Sequence, residues 1–324
     1  MFSFNECKEK IDNEIETLTF SDKHPQELYQ PISYILSLGG KRIRPVLTLM
    51  ACQLFSDRTA DALHPALAVE IFHNFTLLHD DIMDKAPMRR NHATVHHKWN
   101  ENIAILSGDA MNIIAYQHLC RTRTEIIPEL VDIFSKVAIE ICEGQQLDMN
   151  FETRNDVSLE EYIEMIRLKT AVLLATSLKI GAICGGAGEA EKQYLYNFGL
   201  NLGLAFQIQD DLLDAFGNEE EFGKSIGGDI LACKKTFLYL KAIELAPATL
   251  KQELISTYNN SEIENCDKIQ KVLSIFNQLN INDIASKTVE MYTQTAMKAL
   301  SEIHVVKSKA ELEKLAYLIM NRKA

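Results

Sequence analysis

Two short acidic runs carry the most specific chemistry in this sequence. Asp80-Asp81-Ile82-Met83-Asp84 and Asp210-Asp211-Leu212-Leu213-Asp214 repeat one pattern 130 residues apart. On a helix, residues four apart share a face, so Asp80 and Asp84 project together while Asp81 is offset around the axis. Three carboxylates within five residues repel one another, which a solvated acidic face would tolerate. Here the preceding residues are apolar: Ile71, Phe72, Phe75, Leu77 and Leu78 before the first run, and Leu202, Leu204, Phe206 and Ile208 before the second. Carboxylates at the end of a buried stripe need a counter-charge. Magnesium suits them, because this hard ion takes oxygen ligands and is held by one or two carboxylates plus a substrate's phosphates. Two such clusters facing each other could grip one diphosphate between metal ions.

The basic residues complete that chemistry. Gly39-Gly40-Lys41-Arg42-Ile43-Arg44-Pro45 sets three cations on a turn that opens with glycine, where backbone N–H groups and a helix N-terminus also favour anions. Arg89-Arg90 follows the first acidic run, and arginine suits bidentate phosphate binding. Lys169-Thr170, Gly223-Lys224 and Lys234-Lys235-Thr236 add cations and hydroxyls. Each alone reads as surface charge; together, around two acidic runs, they point to a site for two diphosphates.

The elements that must position these groups are helices. Apolar residues recur at helical spacing nearly everywhere, and only 14 glycines and 7 prolines interrupt them. The spacing predicts a short helix over Tyr29–Leu38, closed by Gly39-Gly40, and a next helix with Pro45 in its first turn. Further helices are expected over 61–84, 104–122, 127–151, 158–184, 191–215 and 229–245. A polar segment, Asn259–Asp267, precedes more helical sequence. No strand alternation and no linker rich in Pro, Gly or Ser appears, so the expectation is one all-α domain over residues 1–324.

The bulk numbers narrow the function. Of 324 residues 47% are hydrophobic and 24% charged, an ordinary globular mixture. With 45 acidic and 33 basic side chains the formal charge is −12, which argues against nucleic-acid binding. Seven scattered cysteines without a CxxC pair fit a reduced, cytoplasmic protein rather than a disulfide framework or a zinc site. The N-terminus turns polar at once, unlike a secretory signal. The most apolar stretch, Ala171–Cys184, is interrupted by Lys179 and shorter than the ~20 residues of a membrane span, so none is expected.

GGKRIRP, HNFTLLHDDIMDKAPMRRN, LKT, FQIQDDLLD, GKSIGGD and KKT, in that order from about Tyr29 to Lys241, resemble the trans-isoprenyl diphosphate synthases of the polyprenyl synthetase family. The resemblance implies a bundle of long antiparallel helices around a deep central cavity, usually a homodimer, which joins isopentenyl diphosphate to allylic diphosphates with three Mg2+ ions. Carried over by position, Asp80 and Asp84 resemble ligands of two ions and Asp210 the ligand of a third, with Asp214 as an outer-shell helper. Asp81 and Asp211 complete the two catalytic motifs. Lys41, Arg44, His73 and Arg90, with Gly40 beside them, match the positions that bind isopentenyl diphosphate. Arg89, Lys169, Thr170, Gln207, Lys224 and Lys234 match those around the allylic diphosphate. Without the resemblance, His73 reads as a satisfied core histidine. Asn91 stands where the family usually has Gly, and asparagine tolerates left-handed backbone. Cys233 and Leu238 replace the usual Gly and Pro flanking Lys234-Lys235-Thr236.

Product length is read from the helix before the first run. The resemblance implies that the growing chain runs beside the helix carrying the first acidic run. A helix turn of about 5.4 Å and an isoprene unit are similar in length, so a residue roughly one turn before Asp80 can act as a floor. Bulky Phe75 beside small Thr76 resembles the short-chain pattern. The first motif also lacks the extra pair of residues of typical bacterial farnesyl synthases. Geranylgeranyl diphosphate is the expected product, farnesyl diphosphate the second choice; the competing view has Phe75 merely packing in the core. Two other functions compete: a class I terpene cyclase, which has no use for a second diphosphate site, and a non-catalytic regulatory subunit, which tends to lose acidic residues that are all present here. Glu70 and His73 fit half of a di-iron ligand pattern without a matching second half.

Overall fold

Caps and glycines set where the helices of this chain begin and end. A computed structural model describes residues 2–18, 20–217, 226–260, 262–305, 307 and 309–320. Helix α1 (Phe4–Thr17) opens with a capping box: Ser3 Oγ accepts from the Glu6 N–H at 3.3 Å, and Glu6 Oε2 accepts from the Ser3 N–H at 2.7 Å. Helix α2 (Gln26–Ser37) ends before Gly39 and Gly40, whose φ values of 72° and 147° suit glycine. Helix α3 (Ile43–Phe55) has Pro45 in its first turn, as the sequence predicts. Helix α4 (Ala60–Met83) carries the first acidic run at its C-terminal end. A two-residue hairpin follows, β1 (Met88–Arg89) against β2 (His92–Ala93). Arg90 and Asn91 turn it with φ of 51° and 63°, the double left-handed geometry of a type I′ turn.

Then come α5 (Val95–Lys98), α6 (Glu101–Leu119), α7 (Ile127–Thr153), α8 (Leu159–Ile166), a π-helical turn (Arg167–Ala171), α9 (Val172–Gly185) and α10 (Glu189–Phe216). After them lie α11 (Gly228–Leu231), α12 (Phe237–Leu245), α13 (Ala248–Tyr258), α14 (Asn265–Gln278), α15 (Ile281–Ser301) and α16 (Ala310–Met320). The all-α expectation holds; the hairpin is the only sheet among the described residues.

Three expectations need correction. The helix expected over 158–184 is interrupted by the π turn, and the one expected over 229–245 is broken between Leu231 and Phe237. Cys233 there adopts a left-handed φ of 54°, which no α-helix accommodates. The helical stretch Leu159–Gly185 spans 27 residues with a mean hydropathy of 1.4 in its most apolar window, long and apolar enough to cross a membrane by length and composition. That window is 78% buried within the protein, so it reads as core.

The chain divides into two compact units. The first comprises Met1–Ser135, Thr176–Tyr196 and Ile303–Glu311. Its core holds Ile11, Ile32, Leu47, Met50, Leu67, Ile71, Phe72 and Phe134, all fully buried. Within it, Gly181 and Gly185 let α9 approach α3 closely; a Cβ at Gly185 would fall 2.8 Å from the Cys52 carbonyl oxygen. The second unit comprises Lys136–Ala175, Asn197–Glu302 and Leu312–Ala324. Its core is built from Phe151, Tyr162, Ile208, Leu212, Phe237, Tyr258 and Phe276.

Candidate active site

In the first unit the basic turn and the first acidic run sort themselves by partner. Arg42 is 4% exposed and is used up by structure: Nη1 donates to Glu70 Oε1 at 2.6 Å, Nε to Asp12 Oδ1 at 3.0 Å and Nη2 to the Leu36 carbonyl at 2.9 Å. Glu70 also accepts from Asn74 Nδ2 at 3.0 Å, which disposes of the di-iron pattern. So of the three cations read in this turn, Arg42 is a tie between elements. Arg44 differs. Its Nη1 lies 3.2 Å from His73 Nε2, its Nε is buried without a hydrogen-bond partner, and no carboxylate pairs with it. Burial pulls its pKa down to about 10. His73 is held well below the ordinary histidine value, first by burial and then by Arg44, Arg90, Arg89 and Arg42, so it is neutral and able to accept from Arg44. Arg90 Nη1 donates to the Gly39 carbonyl, and a Cβ on Gly40 would come 3.1 Å from the Arg90 guanidinium. Gly40 is thus favoured by its φ, and a side chain there would press on the Arg90 guanidinium. Two guanidinium groups without carboxylates, over a neutral imidazole, form a place for an anion.

At the end of α4, Asp81 turns inward. It is 2% exposed and takes both Arg89 Nε (2.8 and 2.9 Å) and Arg89 Nη2 (2.8 Å). Burial raises the Asp81 pKa against the pull of Arg89. Arg89 therefore braces the motif, where the sequence reading placed it at a phosphate. Asp84 caps α4 in helical conformation, its N–H on the Asp80 carbonyl at 2.8 Å, so Asp80 (half-buried) and Asp84 (exposed) keep their shared face. Among the described residues no three Asp, Glu, His or Cys side chains come together as a metal cage. A pair of carboxylates is the donor set of a hard cation that draws its other ligands from water and phosphate, so these residues fit such an ion.

Upstream on α4, Phe75 is half-buried and rests on an aromatic stack. Its ring lies 5.4 Å from Phe72 and 4.7 Å from His79, and Phe134 packs 5.1 Å from both Phe72 and Tyr116. His79 occupies the space a side chain at Gly108 of α6 would need. Thr76 Oγ1 is turned back to the His73 carbonyl at 2.8 Å. The stack beneath Phe75 was not read from the sequence, since nothing in the spacing links Phe134 and Tyr116 to α4.

In the second unit, α8 ends in the π turn that presents Lys169 and Thr170. Gly144 and Gly203 make room for it: a Cβ at Gly203 would fall 2.6 Å from Ala171 Cα, and one at Gly144 would overlap the Lys169 backbone. Lys169 Nζ pairs with Asp148, a partner the sequence reading did not name. Thr170 Oγ1 donates to Gln207 Oε1 at 3.2 Å, and Gln207 Nε2 to Asp211 Oδ1 at 3.4 Å. Asp211 is 3% exposed and also accepts from Tyr162 Oη and from the Phe237 N–H at 3.2 Å. Burial and the Asp229 carboxylate push its pKa up to about 8, against those three donors. Asp210 and Asp214 are half-buried. The Gly-Gly-Asp loop closes on Asp214, whose Oδ2 accepts the Asp229 N–H at 2.9 Å and whose carbonyl accepts the Gly227 N–H at 2.7 Å. The Lys234 N–H donates to the Asp229 carbonyl at 2.9 Å, and Tyr258 Oη to the Lys234 carbonyl at 2.6 Å. Lys224 lies outside the described residues.

Residues 25–276 match the polyprenyl synthetase family. The chain belongs to that family. It is an isoprenyl diphosphate synthase, a trans-prenyltransferase. The short chain isoprenyl diphosphate synthase of Methanothermobacter thermautotrophicus is 35% identical over 305 residues, 94% of this chain and 93% of that one. The geranylgeranyl diphosphate synthase of Methanosarcina mazei is 43% identical over 222 residues, 68% of each chain. A crystal structure of a geranylgeranyl pyrophosphate synthase superposes with a TM-score of 0.94 at 44% identity, covering all of both chains. Curated relatives include both geranylgeranyl and geranylfarnesyl diphosphate synthases. The family uses divalent metal ions; a polyprenyl synthase of Caulobacter crescentus, 28% identical with a TM-score of 0.81, was crystallised with calcium and isoprenyl diphosphate.

Proposed function

We propose that this synthase condenses isopentenyl diphosphate with allylic diphosphates to a short all-trans product, chiefly geranylgeranyl diphosphate. The observation that carries this is the pair Arg44, half-buried, and Arg90, at the surface, two guanidinium groups with no carboxylate over a neutral His73. A terpene cyclase ionises one diphosphate and has no task for them. All six aspartates of the two runs are present, which speaks against a regulatory subunit.

Arg44, Arg90, Lys41 and the Gly40 backbone bind the diphosphate of isopentenyl diphosphate, and His73 holds the Arg44 guanidinium in place. Lys169 and Lys234 orient the allylic diphosphate. Asp80 and Asp84, and Asp210 with Asp214, would hold magnesium ions, three by the family resemblance, which supply positive charge to the leaving diphosphate when bound. With that charge stabilised, the allylic C–O bond ionises. The oxygens of Thr170 and Gln207, linked at 3.2 Å, stabilise the carbocation by their dipoles. The double bond of the neighbouring substrate then attacks it, a gain from proximity. A proton passes to the departing diphosphate, leaving a product one unit longer. The growing chain ends at Phe75, backed by Phe72, His79 and Phe134. A second copy of the chain covers the exposed stripe Ile105, Leu106 and Ile113 of α6, in keeping with a homodimer.

The test incubates the protein with Mg2+, labelled isopentenyl diphosphate and each allylic starter, and sizes the dephosphorylated products. Four-unit chains are expected, with loss of activity in a chelator. Products from an allylic substrate alone would favour the cyclase, and a folded protein inert with every starter would favour the regulatory subunit. Phe75→Ala should lengthen the products; an unchanged distribution removes Phe75 as the floor.

A further inference from the structure

The second unit holds a buried ammonium whose partner is a thiol. Lys268 on α14 is 5% exposed, and its Nζ lies 3.3 Å from Cys233 Sγ and 5.9 Å from the centroid of the Tyr258 ring. Among the described residues no carboxylate pairs with it. Removing an ammonium from water in this way is costly unless something compensates it, and here only a sulfur and an aromatic face are at hand. Cys233 is constrained in turn. Its φ of 54° lies in a region that residues with a Cβ adopt at an energetic cost and keep only when their surroundings dictate it. Its Sγ also lies 3.0 Å from the Tyr258 carbonyl. The residue is half-buried at the edge of the second unit's core.

The pair also bears on the loop beside it. Cys233 directly precedes Lys234, whose carbonyl accepts from Tyr258 Oη at 2.6 Å. At the other end of the loop, Gly227 packs on Ile269 of α14 so closely that a Cβ would meet it at 2.8 Å. The segment from Gly227 to Lys234, which contains the short helix α11, thus rests on α14 at two points, next to Lys268 at one and at Ile269 at the other.

We propose that Cys233 and Lys268 form a peroxide-responsive pair: oxidation of the thiol leads to a sulfur–nitrogen bond that locks the Lys234 loop onto α14 and slows the synthase. Sγ attacks one oxygen of hydrogen peroxide, the O–O bond breaks, and sulfenic acid and water result; sulfur is oxidised and peroxide reduced. Lys268 Nζ, after releasing a proton to solvent, attacks that sulfur. The S–O bond breaks, a second water departs, and a sulfenamide joins the two residues. Attack by a dithiol on sulfur returns the thiol and the amine. The effect on rate rests on the role given to Lys234 under the proposed function; the bond itself does not.

The experiment treats the whole chain with hydrogen peroxide, digests it and weighs the peptides, and in parallel follows condensation of isopentenyl diphosphate with an allylic diphosphate. The expected species joins the Cys233 and Lys268 peptides at their summed mass less two hydrogen atoms, and dithiothreitol abolishes it. Its appearance should accompany an about tenfold fall in rate, the scale of one lost charged hydrogen bond, reversed by the same reductant. Cys233→Gly suits the left-handed backbone and should keep the basal rate while resisting peroxide. Lys268→Met should form no joined peptide, while a sulfenic-acid trap still labels Cys233. Absence of the joined peptide from the native chain overturns the proposal, as does a Cys233→Gly enzyme that loses rate to peroxide as fully as the native one. A protein that forms the joined peptide yet never condenses substrate, even reduced, would sink the proposed function and leave the pair standing.

Discussion

Arg42 and Arg44 stand two positions apart in one basic turn and do unrelated work. Arg42 spends its guanidinium on Glu70, Asp12 and the Leu36 carbonyl, whereas Arg44 keeps a buried Nε with no partner. Substitution should separate them. Arg42→Ala strands Glu70 in the core and should cost about 3–5 kcal/mol, the price of breaking a buried pair, visible as a lower midpoint in thermal unfolding. Arg44→Leu removes only the donor to His73 Nε2 and strands no buried carboxylate, so it should lower the unfolding free energy by about 1 kcal/mol, well short of Arg42→Ala. It should raise KM for isopentenyl diphosphate by about tenfold or more with KM for the allylic substrate little changed. A rise in both constants would argue against the assignment of Arg44 to one substrate. At this scale the sequence was informative about residue types and poor about partners. The cations of the GGKRIRP turn were legible; that Glu70, 28 positions on, would claim one of them was not. Likewise Arg89 appeared as a ligand for phosphate, and only folding brings it onto Asp81.

Among the elements, helices were legible because their apolar spacing extends over many residues, and the exceptions share a cause. A π turn adds one residue to a helix without altering which residues are apolar, so Arg167–Ala171 left no trace in the spacing. The hairpin at Met88–Ala93 turns on Arg90-Asn91 rather than the Asn-Gly that would have announced it; the tolerance of Asn91 for left-handed backbone was foreseen and is observed at φ 63°. The π turn can be tested through its neighbours. Gly203→Ala places a Cβ 2.6 Å from Ala171 Cα, an overpacking of backbone that should cost about 1–3 kcal/mol. Because the displaced segment carries Lys169 and Thr170, kcat should fall as well. Thermal unfolding and steady-state kinetics on the same preparation check both; a destabilised enzyme with unchanged kcat would show that the turn tolerates displacement.

For the whole molecule, acid is the informative stress. His118 on α6 is 4% exposed, its Nδ1 has no partner, and its ring lies 5.3 Å from that of His64. Burial, then Arg121 and His64, pull its pKa down to about 4. A histidine with a depressed value contributes stability above the unfolded value near 6.5 and loses it as pH falls toward 4. The loss should approach about 3 kcal/mol across that window. His118→Gln should flatten the fall in unfolding free energy between pH 6.5 and 4; an unaltered slope would place the acid sensitivity elsewhere. Phe75, finally, has an implication for descent. Half-buried on a stack of rings that does not depend on it for support, it can be trimmed while Phe72, Phe134 and Tyr116 stay in place. A phenylalanine codon becomes serine, cysteine or leucine by one nucleotide change. On the reading that Phe75 ends the growing chain, a lineage carrying this gene stands a single point mutation away from a longer lipid, with the aspartates and the anion site untouched.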